Sequence, residues 1–366
     1  MNIHNIGFIG FGLIGGSIAL SLRNKQYPCN IIVYDHHTEV NQDYEQALKD
    51  QTINQLTNQL NDLHNCDLIF LCAPVLRNIE YLSDLKQIIK PDTIITDVGS
   101  VKGEIHRAVE VLEMSSYFIG GHPMAGSEKT GYKQASSYFY ENAYYILTPT
   151  NSIAQEKVDF MIELVQLISA IPIVLQPEEH DDITAAISHL PHVIAVELVN
   201  LIRETDDPSG KMRLLAAGGF KDITRIASSS PAMWESICMS NHKSLQKFLL
   251  KYIHRLEHIY MNIALEDNHS IYHAFDTANE YRSSIPNTKG LIQKFFDIYV
   301  DIIDETGAIA TIAVLLASHN ISIKNIGIIH NREFEEGVLR IETYDNETRE
   351  RALTLLEQNK YTVYHR

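Results

Sequence analysis

Short apolar runs alternate with stretches of helical periodicity along the first half of the chain. NIGFIG (5–10) reads as a buried strand and is followed by a predicted helix through residues 15–24. IIVYD (31–35), DLIFLCAP (67–74), TIITDVGS (93–100), YFIGGHP (117–123) and AYYILTP (143–149) predict further strands, several ending in residues suited to tight turns. A helix near 152–170 and a strand IPIVLQ (171–176) close this part. Strands that alternate with helices imply βα units and a mostly parallel sheet.

From Pro177 to about residue 285 helical periodicity dominates. In SLQKFLLKYIHRLEHIYMNIAL (244–265), Leu245, Leu249, Tyr252, Leu256, Ile259 and Ile263 recur at steps of four and three. Such a seam suits a long helix packed on another, either inside the chain or across a dimer. SSIPNTKG (283–290) has the turn residues of a linker. Beyond it, FFDIYVDIID (295–304), ISIKNIGIIHN (321–331), GVLRIETY (337–344) and YTVYH (361–365) predict strands. Helices are predicted over 307–320 and 346–359, and the order βαββαβ is that of a ferredoxin-like unit.

Length and charge narrow the classes. With 366 residues, 45% of them hydrophobic, the chain can build two or three cores of about 150 residues each. A net charge of -16 argues against a nucleic-acid binder or a polybasic membrane anchor. It also means that an anionic ligand needs local positive charge. Cys29, Cys66, Cys72 and Cys238 show neither CxxC spacing nor a disulfide framework. Reduced thiols in a cytoplasmic protein are the expectation. MNIHNIGFIGFG lacks the basic leader of a signal peptide, and no uncharged apolar run reaches the roughly 18 residues of a membrane span, so no transmembrane helix is expected.

The chemistry concentrates at strand ends. Gly10-x-Gly12-x-x-Gly15 follows a predicted strand and opens a helix; Asp35 ends the next strand, 20 residues beyond Gly15. A dinucleotide fingerprint needs this context: a tight turn at Gly10, close backbone approach at Gly12, helix–strand packing at Gly15, and a helix N-terminus for the pyrophosphate. Leu13 and Ile14 lie in that turn, and Ala73 and Pro74 end a neighbouring strand. Asp35 suits the ribose hydroxyls and would repel a 2′-phosphate, which favours NAD over NADP, although His36 and His37 beside it blunt the inference. In DVGSVKGEI (97–105), Ser100 can hydrogen-bond a neighbouring imidazole, and Lys102 either faces an anion or simply begins a helix.

GGHPMAGSE places His122 at another strand end, with Pro123 fixing the chain and the glycines leaving room for a ligand. Glu128 either lines the entrance or is an ordinary solvated carboxylate. In ISHLPHVIA (187–195), His189 and His192 share a helical face near a bend at Pro191. No HExxH and no third ligand accompany them, so no metal is expected. In GGFKDITRIASSSPAMWESI (218–237), Arg225 lies among small and apolar residues. It suggests a buried local cation whose fork matches a carboxylate, or a structural salt bridge.

Taken together, GFGLIGGS, DVGSVKG, GGHPMAGSE, SHLPH and GGFKDITRIA, in that order across residues 1–285, resemble the prephenate dehydrogenase family. The last ~70 residues, with DETGAIATIA, resemble an ACT-like regulatory module. The resemblance implies an α/β protein in four parts. These are a Rossmann-type doubly wound sheet (1–176), an all-helical substrate and dimerisation domain (177–285), a linker (286–294) and a ferredoxin-like ACT domain (295–366). It implies NAD-dependent oxidative decarboxylation of prephenate to 4-hydroxyphenylpyruvate in tyrosine biosynthesis. His122 would take the ring hydroxyl proton, Ser100 would orient that histidine, and Arg225 would grip a carboxylate. Glu128, His189 and His192 would line the pocket. A homodimer follows, with tyrosine as the candidate effector near Glu305, Thr306, Gly307, Ala308 and Ile309. The competing readings are an arogenate dehydrogenase, a catalytically inactive amino-acid sensor, and another Rossmann enzyme such as a hydroxyacid dehydrogenase.

Overall fold

A computed structural model describes residues 3–36, 42–126, 130–285, 296–302, 305, 307–329 and 337–364. Two compact units emerge, Met1–Gly290 and Leu291–Arg366. His37, Glu128 and Thr306 lie outside the described residues.

In the first unit, β1 (Asn5–Ile9), β2 (Asn30–Tyr34), β3 (Gln55–Thr57), β4 (Leu68–Leu71) and β5 (Ile94–Asp97) form a parallel sheet in the order β3-β2-β1-β4-β5. The helices α1 (Leu13–Asn24), α2 (Gln42–Lys49), α3 (Val75–Leu85) and α4 (Gly103–Val111) connect these strands and cover the sheet. Alternate residues of a strand face opposite sides, so each strand feeds two cores. Phe8, Val33 and Phe70 fill one, with Phe8 and Phe70 stacked at 5.0 Å. Ile9, Ile69, Leu71 and Ile95 fill the other. The chain winds outward from β1 in one direction and resumes at β4 in the other. The carboxyl ends of β1 and β4 therefore flank a crevice, the usual ligand site of such sheets.

The sheet does not stay parallel, as the apolar runs alone suggested. β6 (Ile119–Pro123) joins β5 through the parallel bridge Ile95–Phe118, but β7 (Tyr144–Pro149) runs antiparallel to β6. A parallel return needs a crossover, usually helical. Among the described residues, the β6–β7 connection holds only a 3-10 turn, Tyr132–Gln134. α5 (Gln155–Leu167) then supplies a true crossover, and β8 (Ile171–Val174) lies parallel to β7.

α6 (Pro177–Thr184), one π-helical turn (Ala185–His189) and α7 (Leu190–Thr205) form one continuous helical stretch. Pro191 has no N–H for the carbonyl one turn back, and the wider π turn absorbs the missing bond. Pro177–Thr205 is long and apolar enough by composition to cross a membrane, although charged residues interrupt its apolar runs. α8 (Lys211–Leu215), α9 (Gly218–Thr224), α10 (Pro231–Ser240), α11 (His242–Ala264) and α12 (Asn268–Ser284) follow. Of the α11 seam only Leu245 is buried; Leu256 is 47% exposed and Ile263 64%. Tyr260 and Met261 on α11, and Tyr272 and Phe275 on α12, are also exposed. The seam is therefore not an internal core of one chain.

In the second unit, β9 (Asp297–Ile302), α13 (Ala308–Ser318), β10 (Asn325–Ile329), β11 (Gly337–Glu342), α14 (Asn346–Gln358) and β12 (Val363–Tyr364) follow the βαββαβ order. The antiparallel sheet runs β10-β11-β9-β12, which is the ferredoxin-like arrangement. Ile298, Val300, Leu339 and Ile341 pack against Ile312, Leu316 and Leu356 of its helices.

Candidate active site

The turn after β1 has the geometry that its glycines suggest. Gly10 sits at φ +83°, and a side chain there would meet the backbone of Cys72 and Ala73 at 3.2 Å. Gly15 packs against Cys72 Sγ and the Gly10 carbonyl, both 3.2 Å from a notional Cβ. Gly12 faces open space and caps α1 with no side chain, so the first N–H groups of that helix remain available to a phosphate. The buried Asn78 donates to the carbonyls of Ala73 (2.8 Å) and Leu71 (3.2 Å) and so pins the β4 turn beside Gly10. Asp35 follows β2, where Tyr44 of α2 donates a hydrogen bond to it. An open glycine turn with a carboxylate at the end of the next strand fits an NAD dinucleotide.

Next to this turn the chain builds a polar core. The side chains of Lys102 and Asp97 are both 0% exposed and form an ion pair. Met124 N–H donates to Tyr144 O, so alternation along β6 turns the amide groups of Gly121 towards β5. β5 has ended there, and side chains replace the missing ladder. Asp97 Oδ1 accepts from Gly121 N–H (3.1 Å), and Lys102 Nζ donates to Gly121 O (2.7 Å). A Cβ on Gly121 would lie 2.5 Å from Asp97 O, and one on Gly120 2.3 Å from Thr148 Oγ1. These glycines allow close packing and do not leave ligand space as expected. Lys102 does not present a cation to a substrate either: its ammonium is enclosed and occupied by Asp97 and Gly121.

His122 follows this clamp. Its Nδ1 lies 2.8 Å from His180 Nε2, and His180 Nδ1 lies 2.8 Å from Asp181 Oδ1. The Asp181 carboxylate also accepts from the N–H groups of Lys102 (2.8 Å) and Gly103 (2.7 Å) at the head of α4. With both rings neutral, as their burial favours, this chain has one direction. A carboxylate only accepts, so His180 carries its proton on Nδ1 and accepts at Nε2. His122 must then carry its own proton on Nδ1, which leaves a lone pair on Nε2. No described residue hydrogen-bonds that nitrogen. Burial, reinforced by His180, Lys102 and His189, holds the His122 imidazole well below the ordinary histidine range. Burial also lowers His180, against the opposing pull of Asp181.

The other predicted residues extend from this centre. His189 is buried; its Nδ1 meets Asn241 Nδ2 at 3.2 Å, and burial pushes it down to about 4. His192 stacks on Trp234 at 3.7 Å, and Trp234 also meets the edge of His189. The Trp234 indole N–H is buried without a hydrogen-bond partner. Burial lowers His192 too, with a further contribution from the Arg225 guanidinium. Arg225 thus lies near His192. It is exposed, contrary to the expectation of a buried cation. Ser100 is half-buried and makes no hydrogen bond to His122. The residue bonded to His122 is instead His180, which the sequence reading missed together with Asp181, Asp97 and Asn241.

The first unit offers an open glycine turn at the sheet's switch point and, at the end of β6, an imidazole with an unoccupied ring nitrogen. The class this defines is the NAD-dependent dehydrogenases. Within that class the chain belongs to the prephenate dehydrogenase family. The family's nucleotide-binding domain matches residues 18–174, and its dimerization domain matches 176–277. The prephenate dehydrogenase of Bacillus subtilis is 37% identical over 352 residues, covering 95% of this chain and 94% of that one. Among solved structures, prephenate dehydrogenase from A. aeolicus, in complex with hydroxyphenyl propionate and NAD+, superimposes with a TM-score of 0.73 at 30% identity. It covers 78% of this chain and 99% of its own. Synechocystis arogenate dehydrogenase superimposes with a TM-score of 0.70 at 28% identity, over 77% and 100% of the two chains.

Proposed function

We propose that this enzyme oxidatively decarboxylates prephenate to 4-hydroxyphenylpyruvate with NAD. The observation that carries the reading is the free Nε2 lone pair of His122, its tautomer fixed from behind, at the edge of the sheet that holds the cofactor turn. Gly10, Gly12, Leu13, Ile14, Gly15, Asp35, Ala73 and Pro74 hold the dinucleotide. Bound NAD+ supplies the hydride acceptor.

His122 Nε2 accepts the hydrogen bond of the ring hydroxyl and draws its proton as the carbinol carbon loses hydride. The electron pair of the ring–carboxylate bond completes the aromatic ring as CO2 leaves, and the proton returns to the phenolic oxygen. Base assistance of this kind is worth about 10²–10⁴-fold. Arg225 grips a substrate carboxylate, the local cation that an acidic protein needs, and His189 and His192 line the approach. Ser100 reaches the reacting hydroxyl.

The exposed apolar residues of α11 and α12 form a homodimer interface, which also accounts for the apolar composition of Pro177–Thr205. All four cysteines are free thiols, in keeping with a cytoplasmic enzyme. The ferredoxin-like topology of the second unit supports an ACT-type module that binds tyrosine at residues 305–309. There Gly307, at φ +95°, caps α13 and faces open space.

The test supplies prephenate or arogenate with NAD+ and follows NADH, with and without tyrosine. Turnover of prephenate that tyrosine depresses is the expected result. Turnover of arogenate alone would reassign the substrate, as the likeness to an arogenate dehydrogenase allows. Tyrosine binding without NADH from either substrate would make the protein a sensor.

A further inference from the structure

The Asp181 carboxylate accepts three hydrogen bonds at one place, two from the head of α4 and one from His180. Such an arrangement serves the next ring in line. We propose that His180 and Asp181 are positioning residues: Asp181 fixes the tautomer of His180, and His180, as a hydrogen-bond acceptor, fixes His122 with its Nε2 lone pair outward. This inference rests on reading His122 as the proton acceptor.

The geometry supports an acceptor role for His180. Its ring meets that of His122 at 5.1 Å between centroids and 72° between planes, nearly edge-on. The Nδ1–H of His122 therefore has one defined partner. Without it, the neutral imidazole of His122 would have no internal reason to keep its proton on Nδ1, and the Nε2–H tautomer cannot accept a proton from substrate. In a hydrolytic triad the wrong tautomer alone costs about 10⁴-fold. His122 is faced by His180 from α6, by Lys102 from the head of α4 and by His189 from the π turn. His180 is faced by Asp181, Lys102 and Asp97.

Two substitutions at His180 separate positioning from bulk structure. Glutamine places an amide oxygen where the ring Nε2 sits; it accepts from His122 but cannot take up a proton. Asparagine reaches only the Nδ1 position and leaves the His122 N–H unpaired. kcat of His180→Asn should fall on the order of 10²–10⁴-fold with the dissociation constant of NAD+ nearly unchanged. His180→Gln should stay within roughly tenfold of wild type, as loss of one neutral hydrogen bond at most would allow. In both, the acid limb of kcat/KM should move to higher pH, because a second ionisable ring no longer faces His122.

Equal severe losses in both variants would overturn the proposal in favour of proton transfer through His180. So would wild-type kcat and an unmoved acid limb in both. His122→Asn serves as the control: a mild loss there defeats the reading of His122 itself. An inactive His122→Asn beside a fully active His180→Asn defeats only this inference.

Discussion

Asp97→Asn removes the only carboxylate among the described residues in hydrogen-bond contact with the Lys102 ammonium, a group with no exposure to water. One carboxylate oxygen becomes an NH2, a donor facing the donors of Lys102 or Gly121. Breaking a buried pair from one side costs roughly 3–5 kcal/mol, because a charge is left uncompensated or must give up its proton. Against a total stability of about 5–15 kcal/mol the loss is large. Urea unfolding followed by circular dichroism measures it; at a slope of about 3 kcal/mol/M the midpoint should drop by about 1–2 M.

The pH dependence identifies the cause. Burial already lowers the Lys102 pKa in the wild type, and without Asp97 the folded state favours the neutral amine further. The unfolded chain then binds more protons than the native one between that depressed value and the ordinary lysine value of about 10.4. Stability of the variant should therefore rise with pH across this window, by up to about 1.4 kcal/mol per pH unit. Asp97→Asn combined with Lys102→Met should recover most of the loss at neutral pH. A midpoint shift below about 0.5 M, or a loss indifferent to both pH and the second substitution, would refute the reasoning.

Arg225→Gln should raise the Michaelis constant for prephenate far more than it lowers kcat, since the carboxylate that we propose it grips is present before and during reaction; charge-assisted contacts of this kind are worth roughly 2–5 kcal/mol. Steady-state kinetics with saturating NAD+ checks the split, and an unchanged Michaelis constant would remove Arg225 from the site. Acid should destabilise the first unit. His106, bonded to Thr148, and His189 are both pushed down to about 4 by burial, so the unfolded chain takes up protons first. Their contribution is complete above about pH 6.5 and lost as pH falls towards 4, on the order of 3 kcal/mol per imidazole. Thermal melts across that range should show a falling Tm, and a flat profile would mean that the two rings are hydrated.

The glycine turn was legible because its geometry is local: strand, turn and helix lie within some fifteen residues, and each glycine answers one steric demand. The βαββαβ order of the second unit was legible for the same reason. The support behind His122 was not. His180 lies 58 residues further along the chain, in a helix where HDD reads as an ordinary polar face. Asp97 stood inside a recognised motif, yet its role depends on the register of β6 beside β5, which no local pattern encodes. Arg225 looked buried because its neighbours are small and apolar, but in the single chain that surface is open. The reversal at β7 escaped because strand direction depends on what connects two strands, not on the strands themselves.

The double duty of Asp181 links shape to chemistry. One carboxylate from α6 both tethers the helical region to the head of α4 and sets the protonation pattern of two imidazoles. Any hinge opening that draws α6 away from α4 would break the tether and disarm the base in the same movement. On the proposed mechanism the enzyme would be competent only while clasped, and a product leaving after such an opening would pass a histidine no longer set to react.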